Sequence, residues 1–225
     1  EECNYQKLMR SNPAAFLAKR IIVCEGKTEI GFLRGLDKWW QDNGKRGIWS
    51  CGVATVHGEG DDKSFEVAKY FRKLKYQVLW LGDSDVASTD AKKNELRQLG
   101  VTVVDWADSA NFESRLFRDL PWETIQSLVK ITADFYDEQS LVDQVKCHYS
   151  SIPTSYVQWI DTPETRLALS EAAHKKEWYK NITKGEAVGE LVAKCSNSIS
   201  ASDLNMKIEM IRDWIDLREY CKESV

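Results

Sequence analysis

Acidic residues recur along the first half of this 225-residue chain at spacings suited to holding divalent cations. Asp83 and Asp85 are two apart, and an extended backbone turns alternate side chains the same way, so both carboxylates can face one cation. Glu25 and Glu29 are four apart, which lets a glutamate on a first helical turn point back toward the end of the preceding strand. Asn111-Phe112-Glu113 supplies a further acid. Gathered in one place, four or five carboxylates repel one another at neutral pH unless cations fill the site, and hard oxygen donors favour Mg²⁺, Mn²⁺ or Ca²⁺ over zinc. Asp61, Asp62 and Asp90 read instead as charges at helix N-termini, where they complement the helix dipole.

The elements that must position these acids follow from the hydrophobic pattern. Short β-branched runs at residues 20–24, 51–57, 76–81 and 101–106 alternate with amphipathic stretches ending near 40 or spanning about 64–74 and 89–99. This β-α-β-α-β-α-β order predicts an α/β fold, a mostly parallel sheet flanked by helices. Ligands of such sheets bind outside the carboxyl ends of the strands, and the acids fall there after almost every strand. Beyond Glu113 the runs become helical, over about 121–131, 134–149, 165–180, 184–195 and 202–220. The last carries Leu204, Ile208, Ile211 and Ile215 on one stripe behind a Ser202 cap. The expected organisation is a linker or docking segment at 1–18, a catalytic core at 19–118 and a C-terminal helical region at 119–225, with a seam near Ser150 to Thr154. The start at Glu1, without methionine, is expected of a fragment or processed product of a longer chain.

Composition narrows the classes. No apolar run approaches the roughly 20 residues of a membrane span. Six scattered cysteines without a CxxC pair suit reduced, mostly buried thiols and a cytoplasmic setting. With 31 Lys and Arg against 35 Asp and Glu, a polycation that coats nucleic acid is excluded, but an enzyme whose acids are neutralised by bound metal is not. Gly26-Lys27-Thr28 imitates the end of a phosphate-binding P-loop. The full pattern needs glycine at position 21, which is Ile21 inside the first strand, and Glu25 would lie where triphosphate charge must sit.

Glu25 after the first strand, with Asp83 and Asp85 after the third, resembles the Toprim domain shared by topoisomerases, primases and several nucleases. The form Glu25-Gly-Lys-Thr-Glu29 is most similar to the overcoming-lysogenization-defect (OLD) nucleases, a family that includes the nuclease subunit of the Gabija anti-phage system. The resemblance covers about residues 20–116 well and the helical remainder loosely; His57-Gly-Glu-Gly60 departs from it, being less glycine-rich and more acidic than the family's loop. It implies a Toprim-like fold, an extra acidic ligand at Glu113 and a catalytic lysine near Trp178-Tyr179-Lys180, with Lys180 favoured and Lys184 as second choice. It also implies an ATPase domain or subunit beside the nuclease region.

The expected chemistry is therefore metal-dependent nuclease action on DNA, nicking or endonucleolytic, by a two-metal mechanism with Mg²⁺ or Mn²⁺; Ca²⁺ would be a non-productive or modulating ion. Glu25, Asp83 and Asp85 would serve one ion, Glu29 and Glu113 the other, and a lysine would offset charge on the scissile phosphate. Arg72, Lys73, Lys75, Lys92, Lys93, Arg97, Lys175 and Lys176 are candidate phosphate contacts, whereas Trp39, Trp80, Trp159 and Trp214 lie on apolar patterns and read as core. Alternatives are a topoisomerase or primase component, whose further motifs are not seen, an RNA-processing Toprim nuclease, and a receiver-like regulatory module binding one Mg²⁺. Oligomerisation is compatible with all of them.

Overall fold

The computed structural model describes residues 2–217, and its elements alternate as the hydrophobic pattern predicts. Helix α1 (Glu2–Ser11) and a 3₁₀ turn (Pro13–Leu17) lead into strand β1 (Arg20–Cys24) and helix α2 (Lys27–Asp42). There follow β2 (Val53–His57), α3 (Asp61–Lys73), β3 (Gln77–Gly82), α4 (Asp90–Gln98) and β4 (Thr102–Asp105). The remainder is helical: α5 (Phe112–Asp119), α6 (Trp122–Phe135), α7 (Glu138–Lys146), α8 (Pro163–Lys175), α9 (Ile182–Lys194) and α10 (Asp203–Asp216).

The strands form one parallel sheet in the order β2-β1-β3-β4. From β1 the chain steps outward to β2, and from β3 it steps the opposite way to β4. The order thus reverses between β1 and β3, and a crevice opens there at the carboxyl edge. Every residue of β1 is buried, as a central parallel strand requires. Ile22, Cys24, Leu79, Leu81 and Val104 face one side, packing with α2 and the C-terminal helices in a single apolar cluster that reaches Ile215. Ile21, Val23, Val78, Trp80 and Val103 face the other, against Phe65 and Phe71 of α3, Leu96 of α4 and Ala15 of the leading segment. Phe117 and Leu120, on either side of residue 119, belong to the first cluster, as do Ile152 and Trp159 from the connection between α7 and α8.

The C-terminal region is held on the core by a close crossing of α2 and α9. Gly31 and Gly35 on α2 meet Gly185 and Gly189 on α9, and a Cβ on Gly31, Gly35 or Gly189 would lie 2.2 Å from a backbone oxygen of the facing helix. Glycine costs each helix interior roughly 1 kcal/mol relative to alanine. Here only glycine allows the two backbones to approach so closely.

Several expectations are corrected. The stretch 165–180 is not one helix: α8 stops at Lys175, Glu177 adopts φ 54°, and Trp178 and Tyr179 turn inward to full burial. Trp178 Nε1 donates to Gln144 Oε1 (2.6 Å), while the Tyr179 and Thr132 hydroxyls lie 3.0 Å apart. Helix α6 continues to Phe135, and Asp137 caps a separate α7 through Ser140 N (2.8 Å). The expected Ser202 cap is present, Ser202 Oγ accepting from Asn205 N at 3.1 Å; positions 218–220 of the expected last helix lie outside the described residues. Lys93 is no surface phosphate contact but is 1% exposed, 3.2 Å from Asp105 and over the Trp80 ring. Arg72 is engaged with the carbonyls of Leu99 and Tyr76. Of the described cysteines Cys24 is buried, Cys51 and Cys195 are partly covered and Cys147 is exposed, so the thiols are not mostly buried. No described helix is long and apolar enough to cross a membrane.

Candidate functional site

The crevice between β1 and β3 is the floor of a cleft of about 590 Å³ lined by Glu25, Glu29, Asp83, Asp85, Glu113 and Lys180, six of the seven residues singled out in the sequence. Each is delivered by a different local device. Glu25 follows β1 while its N–H still bonds Leu81 O (2.9 Å), and its Oε2 accepts the backbone N–H of Asp83 at 3.0 Å. The carboxylate crosses over Gly82, where a Cβ would stand 2.2 Å from that oxygen and 2.6 Å from the Trp80 ring. Glycine at 82 is therefore a requirement of the Glu25 position.

Glu29 sits in the first turn of α2, and its Oε2 reaches back to the N–H of Gly26 (2.8 Å), the glutamate half of a capping box. The side chain thus folds back over the start of α2, and the residue is buried. Burial, helped by the neighbouring Glu113 charge, pushes its carboxyl up to about 7, against the opposing pull of backbone N–H groups and Lys180.

Asp83 and Asp85 share the cleft because the chain stays extended past β3. Ser84 between them turns the other way, bonding Ala110 O through both its N–H (3.1 Å) and its hydroxyl (3.2 Å). Asp83 Oδ1 accepts from Phe112 N (2.9 Å), at the start of α5, and from Trp106 Nε1 (3.1 Å). Desolvation raises the Asp83 carboxyl well above its ordinary range, and Glu29, Glu113, Glu25 and Asp85 raise it further. Asn111 caps α5 through Ser114 N (2.8 Å) and thereby sets Glu113, which is buried in the following turn.

Lys180 comes from the helical region. The buried Trp178–Tyr179 pair anchors its segment, and Thr28 Oγ1 of α2 donates to Tyr179 O (3.2 Å), tying that segment to the helix that carries Glu29. Lys180 Nζ pairs with Glu177 Oε1 at 2.9 Å. Lys184 is not brought to the cleft: its ammonium bonds Tyr136 Oη (2.9 Å) and lies 4.1 Å from the centroid of that ring. Sequence reasoning missed Lys27, His57, His174 and Glu177, which also line the cleft. His174 Nδ1 is 3.7 Å from Glu113 Oε2, and that carboxylate raises the imidazole pKa. A histidine at a helix end carries no distinguishing signal in sequence; only the fold sets it beside Glu113.

Five carboxylates on one cleft, several of them raising the Asp83 pKa, are a hard, oxygen-only donor set that fits Mg²⁺ or Mn²⁺. Among the described residues no three His, Cys, Asp or Glu side chains are grouped so as to hold a metal ion directly. The acids share a cleft rather than one point, with Glu25, Glu29 and Asp83 each anchored through one oxygen to a backbone N–H. Comparison with protein-family models, with curated proteins and with solved structures returns no match.

Proposed function

We propose that the chain is a metal-dependent nuclease that hydrolyses DNA phosphodiester bonds in this cleft, as the nuclease part of a larger ATPase-nuclease of Toprim type. The observation that carries the reading is the gathering of Glu25, Glu29, Asp83, Asp85 and Glu113 with Lys180 at the switch point of a parallel sheet. Glu25, Asp83 and Asp85 would hold one divalent cation, and Glu29 with Glu113 a second. Bound there, Mg²⁺ or Mn²⁺ would supply Lewis-acid activation of a water and stabilisation of the departing 3′-oxygen. The chain's own contribution is placement. Backbone N–H groups fix the carboxylates, and the buried aromatic pair fixes Lys180 to meet charge building on the phosphate.

The test is cleavage of supercoiled plasmid with Mg²⁺, Mn²⁺, Ca²⁺ or EDTA, beside Glu25→Ala and Asp83→Ala. Nicking that needs Mg²⁺ or Mn²⁺ and is lost in both variants is expected. Activity that persists in EDTA, or in both variants, would overturn the reading.

A further inference from the structure

The cleft has two cationic flanks, and the chemistry above uses only one. Seven of its lining residues are acids, counting Glu59 and Glu177 with the five carboxylates, while Lys27 and Lys180 are its only Lys or Arg among the described residues. Where bound cations do not cover it, an acidic floor repels a phosphodiester, so beyond the scissile position a strand must be held by the groups on either side. On the helical side stand His174 and Lys180. On the β2 side stand Lys27, the first residue of α2, and His57, the last residue of the adjoining strand.

Two features of Lys27 make an ordinary surface lysine a poor description. It occupies the helix end where the dipole is positive and a cation is unfavourable. Among the described residues no ion pair engages its ammonium, although Glu25 and Glu29 flank it in sequence. His57 is held next to it because Gly58 N bonds Cys24 O (2.7 Å) and Gly60 N bonds Glu25 O (2.9 Å), which draws the loop after β2 over the end of β1. Burial and the Lys27 charge lower the imidazole pKa, with Glu59 opposing them, and a neutral ring offers a phosphate a hydrogen bond rather than a charge.

We infer that Lys27 and His57 are phosphate contacts for the DNA strand, holding the phosphodiester that neighbours the scissile one on the β2 side while Lys180 serves the scissile phosphate. The inference rests on the nuclease reading and adds the path of the strand: it crosses the carboxyl edge of the sheet from the β2 end toward α8. Lys27 supplies charge and His57 a directed donor. The two therefore have separable signatures.

The experiment is equilibrium binding of a short fluorescein-labelled single-stranded DNA to the full chain, with Ca²⁺ present and probe integrity checked on a gel, over a series of salt concentrations. Lys27→Gln is expected to weaken binding several-fold and to reduce the slope of log K against log salt by about 0.7, the release of one phosphate contact. His57→Gln is expected to weaken binding with the slope unchanged. Lys45→Gln, on the exposed connection after α2, is expected to change neither. Thermal melts of each variant show that the fold is retained. Wild-type affinity and slope in Lys27→Gln would overturn the strand path while leaving the nuclease reading to its plasmid test. A wild-type chain that neither binds the probe nor nicks plasmid with Mn²⁺ would overturn both.

Discussion

Glu25 Oε2 lies 3.0 Å from the backbone nitrogen of Asp83, so the acids that end β1 and β3 are joined by a hydrogen bond from the main chain of one to the side chain of the other. The contact passes over Gly82, the one position in β3 where any side chain would occupy the carboxylate's place. Gly82→Ala is expected to lower stability by about 1–3 kcal/mol, the usual cost of overpacking, and to displace Glu25. Chemical denaturation gives the first effect and loss of Mn²⁺-dependent nicking the second. An unchanged midpoint with full nicking would show that the carboxylate does not need this route.

Glu29 is expected to make the stability of the protein depend on pH when no divalent cation is present. Its folded pKa, about 7, lies above the ordinary 4.5, so the folded state holds the proton more tightly than the unfolded chain does. The stability this gives is complete below about pH 4.5 and is lost as pH rises to about 7, by roughly 3 kcal/mol at most if the group acts alone. Melts in EDTA should therefore fall across that window, and Glu29→Gln should flatten the fall. A wild-type curve that rises through the window would contradict the buried, crowded carboxyl.

Divalent cations should reverse that loss. Binding only to the folded state adds about 2.7 kcal/mol at a hundredfold excess over Kd. Mn²⁺ is expected to raise the melting temperature clearly at pH 7.5 and little at pH 5, where protons compete for the same oxygens. Glu25→Ala and Asp83→Ala should blunt the response. Equal Mn²⁺ shifts in wild type and both variants would place the metal elsewhere.

Lys180 and Lys184 separate cleanly in position, and their variants should separate in kinetics. Lys180→Ala is expected to lower kcat by about 10²–10³-fold with little change in melting temperature, as for removal of a preorganised charge at a transition state. Lys184→Ala is expected to lower stability by about 0.5–1 kcal/mol through loss of its ammonium–ring contact with Tyr136, with the smaller loss of rate. The reverse ranking of rates would move the catalytic role to α9.

The α2–α9 crossing should tolerate no added atoms. Gly189→Ala would put a methyl group 2.2 Å from Phe32 O and must separate the helices, so a loss of several kcal/mol is expected by denaturant titration. Gly44→Ala has open space but a left-handed φ of 75°, and should cost only about 1 kcal/mol.

Much of this arrangement was legible because it rests on local patterns. The β-branched runs gave all four strands, the Glu25–Glu29 spacing gave the backward-pointing glutamate, and the Asp83–Asp85 spacing gave two side chains on one side of an extended segment. What escaped depends on distant partners. Trp178 and Tyr179 extend the apolar pattern of α8, so nothing local shows that the helix ends at Lys175; the pull comes from Gln144 and Thr132. Lys93 reads as a surface charge until Asp105 and Trp80 enclose it. The glycines at 31, 35, 185 and 189 are plain in the sequence, but single helical glycines carry little signal, and nothing local pairs two segments about 150 residues apart.

That pairing sets an order of events in the life of each molecule. The segments that form β1 to β4 and carry Glu25, Asp83 and Asp85 are complete by residue 105, but the face of α2 that carries Gly31 and Gly35 has no partner until residues 182–194 have been made. Lys180 is then docked by the same late event that covers α2, because its segment is fixed through Thr28 and the buried aromatic pair. Such long-range contacts form slowly relative to local ones. On the proposed chemistry the acids at the ends of β1 and β3 thus come early and their lysine late, and a chain that stops before α9 would lack a complete site.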